Sequence, residues 1–482
     1  MGREEQIINE RIKKLKQLRA QGINPYPAKF DKKHLIEDCL KKKSGNVKTA
    51  GRIITKRDIG KIIFSNIRDG SGEIQIVLQD KKTPAEKKEF FKKYIDSGDF
   101  VGVEGSVILT KTKQKSILVK NITILSKSIL PLPDKFKGLQ DEEERFRKRY
   151  LELISDNEVK EIFIKKAKFW NTIRDFLKKR GFIEVETPIL ETAAGGAAAK
   201  PFKTHMDALK MGLFLRISMG ELWQKKLMVA GLDKTFEIGR QFRNEGIDAE
   251  HLQDYTQMEF YWAYADYEMG MKLVEEMYKE VAKKTIGSLK FKTRGFSVDL
   301  EKPWKKYDYE KTIKKYTGVD IYKASKQDLI KKINSLKIKF DSSVDKWRLV
   351  DILWKFTRKK LTGPGFLVGQ PVEITPLAKR SRTNPKKVEQ FQVIIAGSEM
   401  GNGYSELNDP FDQETRFIEQ RKLKEAGDEE AHVHDKAFVE ALKHAMPPTC
   451  GFGVSERLFS YLIDKPIREC VIFPLIRPKG KK

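Results

Sequence analysis

Cysteine is scarce in this sequence. Cys39, Cys450 and Cys470 are the only three in 482 residues. They are odd in number and far apart, which argues against a disulfide scaffold or a cysteine-built zinc site and suits a reducing compartment. Long apolar runs are missing as well. No stretch approaches the roughly 20 residues of a membrane span, and the opening MGREEQIINERIKKLKQLRAQG has no apolar signal core. Gln6 stands where a myristoylation motif needs Ser or Thr. There is no HExxH, no Walker loop, no Ser-His-Asp arrangement, no tandem repeat and no low-complexity tract. Acidic residues fall short of basic ones: 95 Lys+Arg against 68 Asp+Glu leave a net charge of +27. The expectation is a cytoplasmic protein with no membrane partner. Its charge suits polyanions, nucleic acid first, although a solvated lysine-rich surface explains the charge equally well.

What is present falls into segments. Residues 1–47 form a basic helical extension, with Ile7, Ile8, Ile12, Leu15 and Leu18 at helical spacing and Gly22 and NPYP as the stop. Such a helix either touches RNA or docks on the body, and docking is the default. Residues 48–130 read as strands. TAGRIITKRDIGKIIFSNIRDGSGEIQIVLQD gives three, split at DIG and DGSG; PAEKKEFFKKYIDSGD is a helix; FVGVEGSVILTKT and KSILVKNITILSKS are two more strands. That order predicts a five-stranded OB barrel, a fold that binds single-stranded nucleic acid through basic and stacking residues. Arg52, Lys56, Arg57, Phe64 and Gln75 are the candidates, with barrel core as the competing role for Phe64. Residues 131–144, rich in proline and then acid, are a hinge. Residues 145–482 read as one large α+β domain with a lysine-rich, mostly helical excursion at about 285–345.

Charged residues stand among aromatics in RQFRNEGIDAEHLQDYTQMEFYWAYADYE (240–268). TFEIGRQFRNE reads as a strand with Arg243 and Glu245 on one face and Phe242 on the other. GIDAEHLQD is a loop. In the return strand Tyr255, Gln257, Glu259 and Tyr261 share a face, and Met258, Phe260 and Trp262 share the opposite one. One face packs on helices; the other is the floor of a pocket. The pattern recurs at AGSEMGNGYSELNDPFDQ (396–413), where Glu399 is followed by Asn402, Tyr404 and Glu406 at period two. Gly401 and Gly403 on the other face allow another element to approach. PPTCGFGVSERLF places glycines before a helix expected to open at Ser455, with Arg457 in its first turn, a setting suited to phosphate. Two arginines suit a polyphosphate, aromatic planes suit a purine, and the surplus carboxylates call for a metal or a substrate amine. HVHD (432–435) has metal-ligand spacing but reads as solvated surface.

These blocks resemble the class II lysyl-tRNA synthetases over nearly the whole length. GFIEVETPIL, with Pro188, resembles their first motif, at the dimer interface; FRNEG…H…Y…MEFY resembles the second; GFGVSERL resembles the third. GGAAAKPFKTH, GELWQKKLMVAG and GNGYSELNDPFDQ are similar to blocks specific to the subgroup. The resemblance implies an OB-fold anticodon-binding domain joined to a large antiparallel-sheet catalytic domain flanked by helices. It implies ATP-dependent activation of L-lysine with Mg2+, transfer to the 3′ end of tRNA(Lys), and a homodimer. It places Arg243 on the α-phosphate and the lysine carboxylate, Glu245 on the adenine amino group, His251 toward the γ-phosphate, and Tyr255 and Arg457 on either side of adenine. Glu399 joins the ATP site. Gly196, Glu221, Arg243, Glu259, Tyr261, Asn402, Tyr404 and Glu406 fall at lysine-binding positions. Glu399, Glu406 and Gln392 fall to the metal, and Arg52, Phe64 and Gln75 to the anticodon.

The sequence departs from the family pattern at several points. Glu250 stands where the family has Arg, Leu252 and Gln253 replace Asn-Pro, Val454 replaces Gly, Gln392 replaces a metal-binding Glu, and Asn121 replaces Glu. The segment after Arg216 is one residue longer. Three alternatives follow. An aspartyl- or asparaginyl-type synthetase would need a spare cation, which Glu221, Glu259 and Glu406 oppose. A protein lysyltransferase would lack the barrel. A non-catalytic RNA-binding or regulatory paralogue would lose Arg243 or Arg457.

Overall fold

The computed structural model describes residues 2–480 apart from 134–140, 194, 198, 247, 249, 343 and 426–433. Two compact units divide the chain, Met1–Ser155 and Asp156–Lys482. The first holds α1 (Arg3–Ala20), α2 (Ile36–Lys41), β1 (Gly45–Asp58), β2 (Ile62–Arg68), β3 (Glu73–Gln79), α3 (Ala85–Tyr94), β4 (Phe100–Leu109) and β5 (Lys115–Ser126). The strands close into a barrel in the order β1-β2-β3-β5-β4, with β4 returning to β1. Alternation along each strand decides what fills it: Ile63, Ile67, Ile74, Ile76, Val101, Val103, Ile117 and Val119 point inward. Phe64 falls on the other face, half-buried and outside that core, directly across from Arg57.

The N-terminal helix docks on the barrel. Leu18 is fully buried, and Arg11 donates to the Leu130 carbonyl (2.8 Å) and the Ser97 carbonyl (2.9 Å). Beside it Lys127, with no exposed side-chain surface, donates to Asp99 (2.8 Å), Asp96 (2.5 Å) and the Tyr94 carbonyl (2.7 Å). Two further helices, α4 (Glu142–Arg147) and α5 (Arg149–Ser155), belong to this unit. Arg68 donates to the Ile154 carbonyl at 2.6 Å, which ties the end of α5 to β2. The compact units part after Ser155. Much of the expected hinge, 134–140, lies outside the described residues, as do His432 and Val433 of the HVHD segment.

The second unit begins with α6 (Asn157–Lys178), β6 (Ile183–Glu184), β7 (Leu190–Glu191), β8 (Lys203–Met206), β9 (Met211–Leu215), α7 (Glu221–Val229), β10 (Lys234–Phe242), β11 (Asp254–Ala263) and α8 (Tyr267–Ile286). It continues with β12 (Lys290–Thr293), β13 (Phe296–Asp299), β14 (Lys305–Asp308), α9 (Tyr309–Thr317), α10 (Lys326–Ser335) and α11 (Lys346–Arg358). It ends with β15 (Gly365–Val368), β16 (Gln390–Ile395), β17 (Ser398–Ser405), α12 (Pro410–Glu425), α13 (Lys436–Lys443), β18 (Thr449–Ser455) and α14 (Arg457–Leu462). Eight strands make one sheet in the order β14-β15-β16-β17-β18-β11-β10-β6. Neighbours are antiparallel except β14 with β15 and β10 with β6.

One face of this sheet is greasy. Met258, Phe260, Phe391, Phe452 and Val454 share a core with Phe169, Ile173 and Phe176 of α6 and Val274, Met277 and Val281 of α8. The Phe391 and Phe452 rings stack at 5.6 Å between centroids. The excursion is not mostly helical from its start. FKTRGFSVDL forms a hairpin, β12 with β13, because Arg294 and Gly295 both take positive φ, as a two-residue type I′ connection requires. β14 then joins the edge of the main sheet, and only beyond it do α9 and α10 build a separate core with α11 around Ile313, Leu329, Ile333, Leu353 and Trp354.

Replacing Lys127 by Met leaves the buried carboxylate of Asp99 without its cation. The substitution is expected to destabilise the barrel unit by about 3–5 kcal/mol, read as an early transition in urea unfolding of the full chain.

Candidate active site

The opposite face of the sheet lines a cavity of about 1010 Å³. β11 contributes Tyr255, Gln257, Glu259 and Tyr261; β17 and the residue after it contribute Asn402, Tyr404 and Glu406. Between them runs β18, and here the structure corrects the expectation of a glycine-rich entry to a helix. Gly451 and Gly453 lie inside a strand, and α14 opens at Arg457. In register Gly451 stands opposite both Tyr261 and Tyr404, and Gly453 opposite both Glu259 and Asn402. A Cβ on Gly451 would overlap the Glu406 carboxylate and lie 2.7 Å from the Tyr261 ring; one on Gly453 would lie 3.0 Å from Glu259. The bare middle strand is the floor of a trough whose walls are the side chains of its neighbours. Gly401 and Gly403 face the other way, against Phe452, Tyr278 and Phe391, as close approach requires.

The deep end of the trough holds three buried carboxylates, Glu221, Glu259 and Glu406. Glu221 opens α7 after Gly220, whose positive φ places it against Thr187. Gly196, also at positive φ, leaves room for Ser218 and Glu221. Glu259 accepts from the Met219 backbone (3.1 Å), Gln257 (2.6 Å) and the Tyr261 hydroxyl (3.2 Å). Glu221 accepts from the Tyr404 hydroxyl. Among the described residues neither oxygen of Glu406 receives a well-directed hydrogen bond, although both are buried. Burial and the Glu221 carboxylate raise Glu259 to about 7, against the pull of its three donors. Burial raises Glu406 to about 8; Lys225 draws it down, and the neighbouring carboxylates push it up.

That lysine escaped the list of site residues expected from the sequence. Lys225 is buried one turn after Glu221, with Nζ 3.1 Å from Glu221 and 2.6 Å from Glu406. The signal was the four-residue step in GELWQKK, since side chains at i and i+4 share a helix face.

Toward the mouth, Arg243 and Arg457 both line the cavity. Arg243 lies beyond the end of β10, where its backbone N–H donates to the Gln253 carbonyl (2.7 Å) and its Nε to the Ile217 carbonyl (3.2 Å). Its guanidinium sits 5.8 Å from the centre of the Tyr255 ring. The strand does not continue to Glu245, so the predicted shared face of Arg243 and Glu245 does not form. Glu245 is exposed and outside the cavity lining, and His251 is exposed and paired with Asp248 at 2.8 Å. Glu250 turns inward instead. It accepts from the Tyr461 hydroxyl (2.7 Å) and Ser398 (3.2 Å) and lies 3.8 Å from Arg457. Burial works against its charge, but Tyr461 and Arg457 outweigh burial and hold Glu250 below the ordinary carboxylate range.

The expected metal set does not assemble. Glu399 and Glu406 are seven residues apart along an extended segment, on the order of 20 Å, so Glu406 cannot share an ion with Glu399. Glu399 does meet Gln392 (3.4 Å) and accepts from the Trp354 indole (2.7 Å). One carboxylate with a neutral amide fits a magnesium ion that arrives on a polyphosphate and takes most of its ligands from phosphate and water.

On the barrel, Gln75 accepts from Ser116 at 2.9 Å, one strand over from Phe64. Arg52 is not beside them: it donates to the Gly98 carbonyl (3.0 Å) and lies over the Phe100 ring (4.2 Å). Lys56 caps the end of α3, donating to the carbonyls of Phe91 (3.1 Å), Lys92 (2.9 Å) and Ile95 (2.7 Å), and its burial lowers it to about 8. Arg57, exposed, is the arginine next to Phe64.

The family described as tRNA synthetases class II (D, K and N) matches residues 141–477, and the OB-fold nucleic acid binding domain matches residues 47–125. The chain belongs to the class II tRNA synthetases and carries their catalytic domain behind an OB-fold barrel. It is 42% identical to the lysine–tRNA ligase of Thermosipho africanus over 481 residues, 97% of this chain and 95% of the relative. It is 42% identical to that of Thermotoga maritima, with 98% and 96% covered, and 41% identical to that of Carboxydothermus hydrogenoformans, with 98% of each covered.

Gly451→Ala fills the floor of the trough. The circular dichroism spectrum is expected to stay unchanged, while the Kd for the amino-acid substrate in calorimetry rises at least ~10-fold, about 1.4 kcal/mol.

Proposed function

We propose that this chain activates L-lysine with ATP to lysyl-adenylate and pyrophosphate, then transfers the lysyl group to the 3′ end of tRNA(Lys). The observation that carries this reading is the surplus of charge in the trough, where three buried carboxylates, Glu221, Glu259 and Glu406, stand against one ammonium, Lys225. Buried carboxylates in excess of the resident cation call for a cationic ligand. Aspartate would bring a further anion to the same place, and asparagine would bring no charge to meet it. The names of the relatives, all lysine–tRNA ligases, agree.

Arg243 takes the lysine carboxylate and the α-phosphate. A carboxylate oxygen attacks the α-phosphorus, the bond to the bridging oxygen breaks, and pyrophosphate leaves. A terminal ribose hydroxyl of the tRNA then attacks the adenylate carbonyl, and AMP leaves. The chain's part is positioning and charge: Arg243 and Arg457 face the phosphates and Tyr255 offers a plane to adenine. Mg2+ would be held by Glu399 and Gln392 together with phosphate oxygens, and would neutralise charge there. Arg57, exposed, and Phe64 and Gln75, half-buried, lie on three successive strands of the barrel and are suited to unstacked bases. A homodimer is supported by Ile183, Ile189 and Leu190, each about half exposed around Pro188. A cytoplasmic setting suits the free buried cysteines. No helix among the described residues is long and apolar enough to cross a membrane.

Exchange of radiolabelled pyrophosphate into ATP, run with each of the twenty amino acids, is expected to respond to lysine alone. Exchange with aspartate or asparagine would sink the assignment. No exchange at all, from folded protein that still binds tRNA, would favour the non-catalytic RNA-binding reading. Phe64→Ala is expected to weaken tRNA(Lys) binding by roughly 5- to 100-fold, the worth of one stacked base, in filter binding, with lysine-dependent exchange unchanged.

A further inference from the structure

Glu221, Glu259 and Glu406 bring three carboxylates to one trough, and Lys225 brings one ammonium. If all are ionised the trough carries a surplus of two negative charges. A free lysine carries two ammonium groups, and the functional reading above gives its carboxylate to Arg243. Resident and substrate charges then cancel. We propose that Lys225 is a positioning and specificity residue: it neutralises one of three buried carboxylates, so that the remaining two match the α- and ε-ammonium groups of a doubly cationic amino acid. This inference rests on the lysine reading and adds a residue and a charge count to it.

The surroundings of Lys225 support the assignment. Its ammonium is held between Glu406 at 2.6 Å and Glu221 at 3.1 Å and faces the rings of Tyr404 (5.5 Å), Phe438 (5.6 Å) and Tyr261 (6.0 Å). Burial alone would lower its pKa, but Glu406 and Glu221 outweigh burial and hold it above the ordinary value. It is therefore a fixed cation throughout the working range. The titratable groups around the carboxylates are Lys225 on α7, Tyr261 on β11, Tyr404 on β17 and the buried thiol of Cys450 on β18. Both tyrosines and the thiol are pushed well above their usual ranges and stay neutral.

The consequence is measurable. Carboxylates facing no second cation retain protons, and a dication expels them. Burial and the neighbouring carboxylates raise both Glu259 and Glu406 into the neutral range, so the empty trough holds protons at pH 7. Binding that releases protons strengthens as pH rises, by about tenfold per pH unit for each proton released, so lysine affinity should climb between pH 6 and pH 8.5.

The test is calorimetric titration of the full-length protein with L-lysine at pH 7, in buffers of different ionisation enthalpy, repeated across pH 6–8.5. Release of protons on binding, with affinity rising over that range, is the expected result for the wild type. Lys225→Met should weaken lysine binding at least tenfold at pH 7 and move the rise to higher pH. Adding Glu221→Gln to it restores the charge count and should bring the rise back toward its wild-type position. Lysine binding without proton release overturns the proposal alone, even if the Met variant does not fold. An unchanged pH profile in a folded Lys225→Met also overturns it, leaving Lys225 a structural residue. Failure of the wild type to bind lysine overturns the functional reading and this proposal together.

Discussion

The site depends on one constraint, the strict alternation of side chains across β11, β18 and β17. Because successive residues point to opposite faces, every residue given to the aromatic core on one side commits its neighbours to the cavity on the other. Phe260 and Phe452 meet behind the sheet at 5.7 Å. Their neighbours Glu259, Tyr261, Gly451 and Gly453 then have nowhere to go but the trough. The back face cannot slip by one residue without burying carboxylates among phenylalanines. The packing of the core therefore holds the register of the site.

The two ends of the cavity solve opposite electrostatic problems. The deep end concentrates negative charge in a place with almost no solvent, and relies on Lys225, on tyrosine hydroxyls and on a backbone N–H to make that tolerable. The mouth concentrates arginine. There Glu250 already engages Arg457, with Tyr461 and Ser398 holding the carboxylate. A residue that reads in sequence as the loss of a cation is, in space, a well-held anion that joins the loop after β10 to β17 and α14.

Much of this was legible in the sequence. The barrel was, because its strands are bounded by DIG and DGSG and alternate cleanly. The walls of the trough were, because Glu259 and Glu406 recur at period two among aromatics. What failed did so for local reasons. A strand pattern can be read through TFEIGRQFRNE, but pairing with β11 ends opposite Asp254, and Arg243 leaves the ladder there. Glu245 and His251 belong to a loop whose path follows from the bonds of Gln253 to the carbonyls of Glu245 and Gly246, and no periodicity foretells those. Arg52 and Arg57 look alike in sequence; only the approach of Phe100 and of the Gly98 carbonyl distinguishes a structural arginine from an open one. The metal set failed on length: a strand that carries Glu399 to Trp354 and Gln392 carries Glu406 to the deep end, beside Lys225.

The bare floor of β18 also bears on how such a site can change over time. Glycine is the smallest residue, so every substitution at Gly451 or Gly453 adds volume where Tyr261, Glu406 and Glu259 already press. Drift at the floor can only close the trough. A chain of this design that comes to accept another amino acid must do so through its walls, at positions such as Glu406 or Tyr404, where a side chain can shrink, lengthen or lose its charge. The floor sets which lineages keep a site at all; the walls set what that site can become.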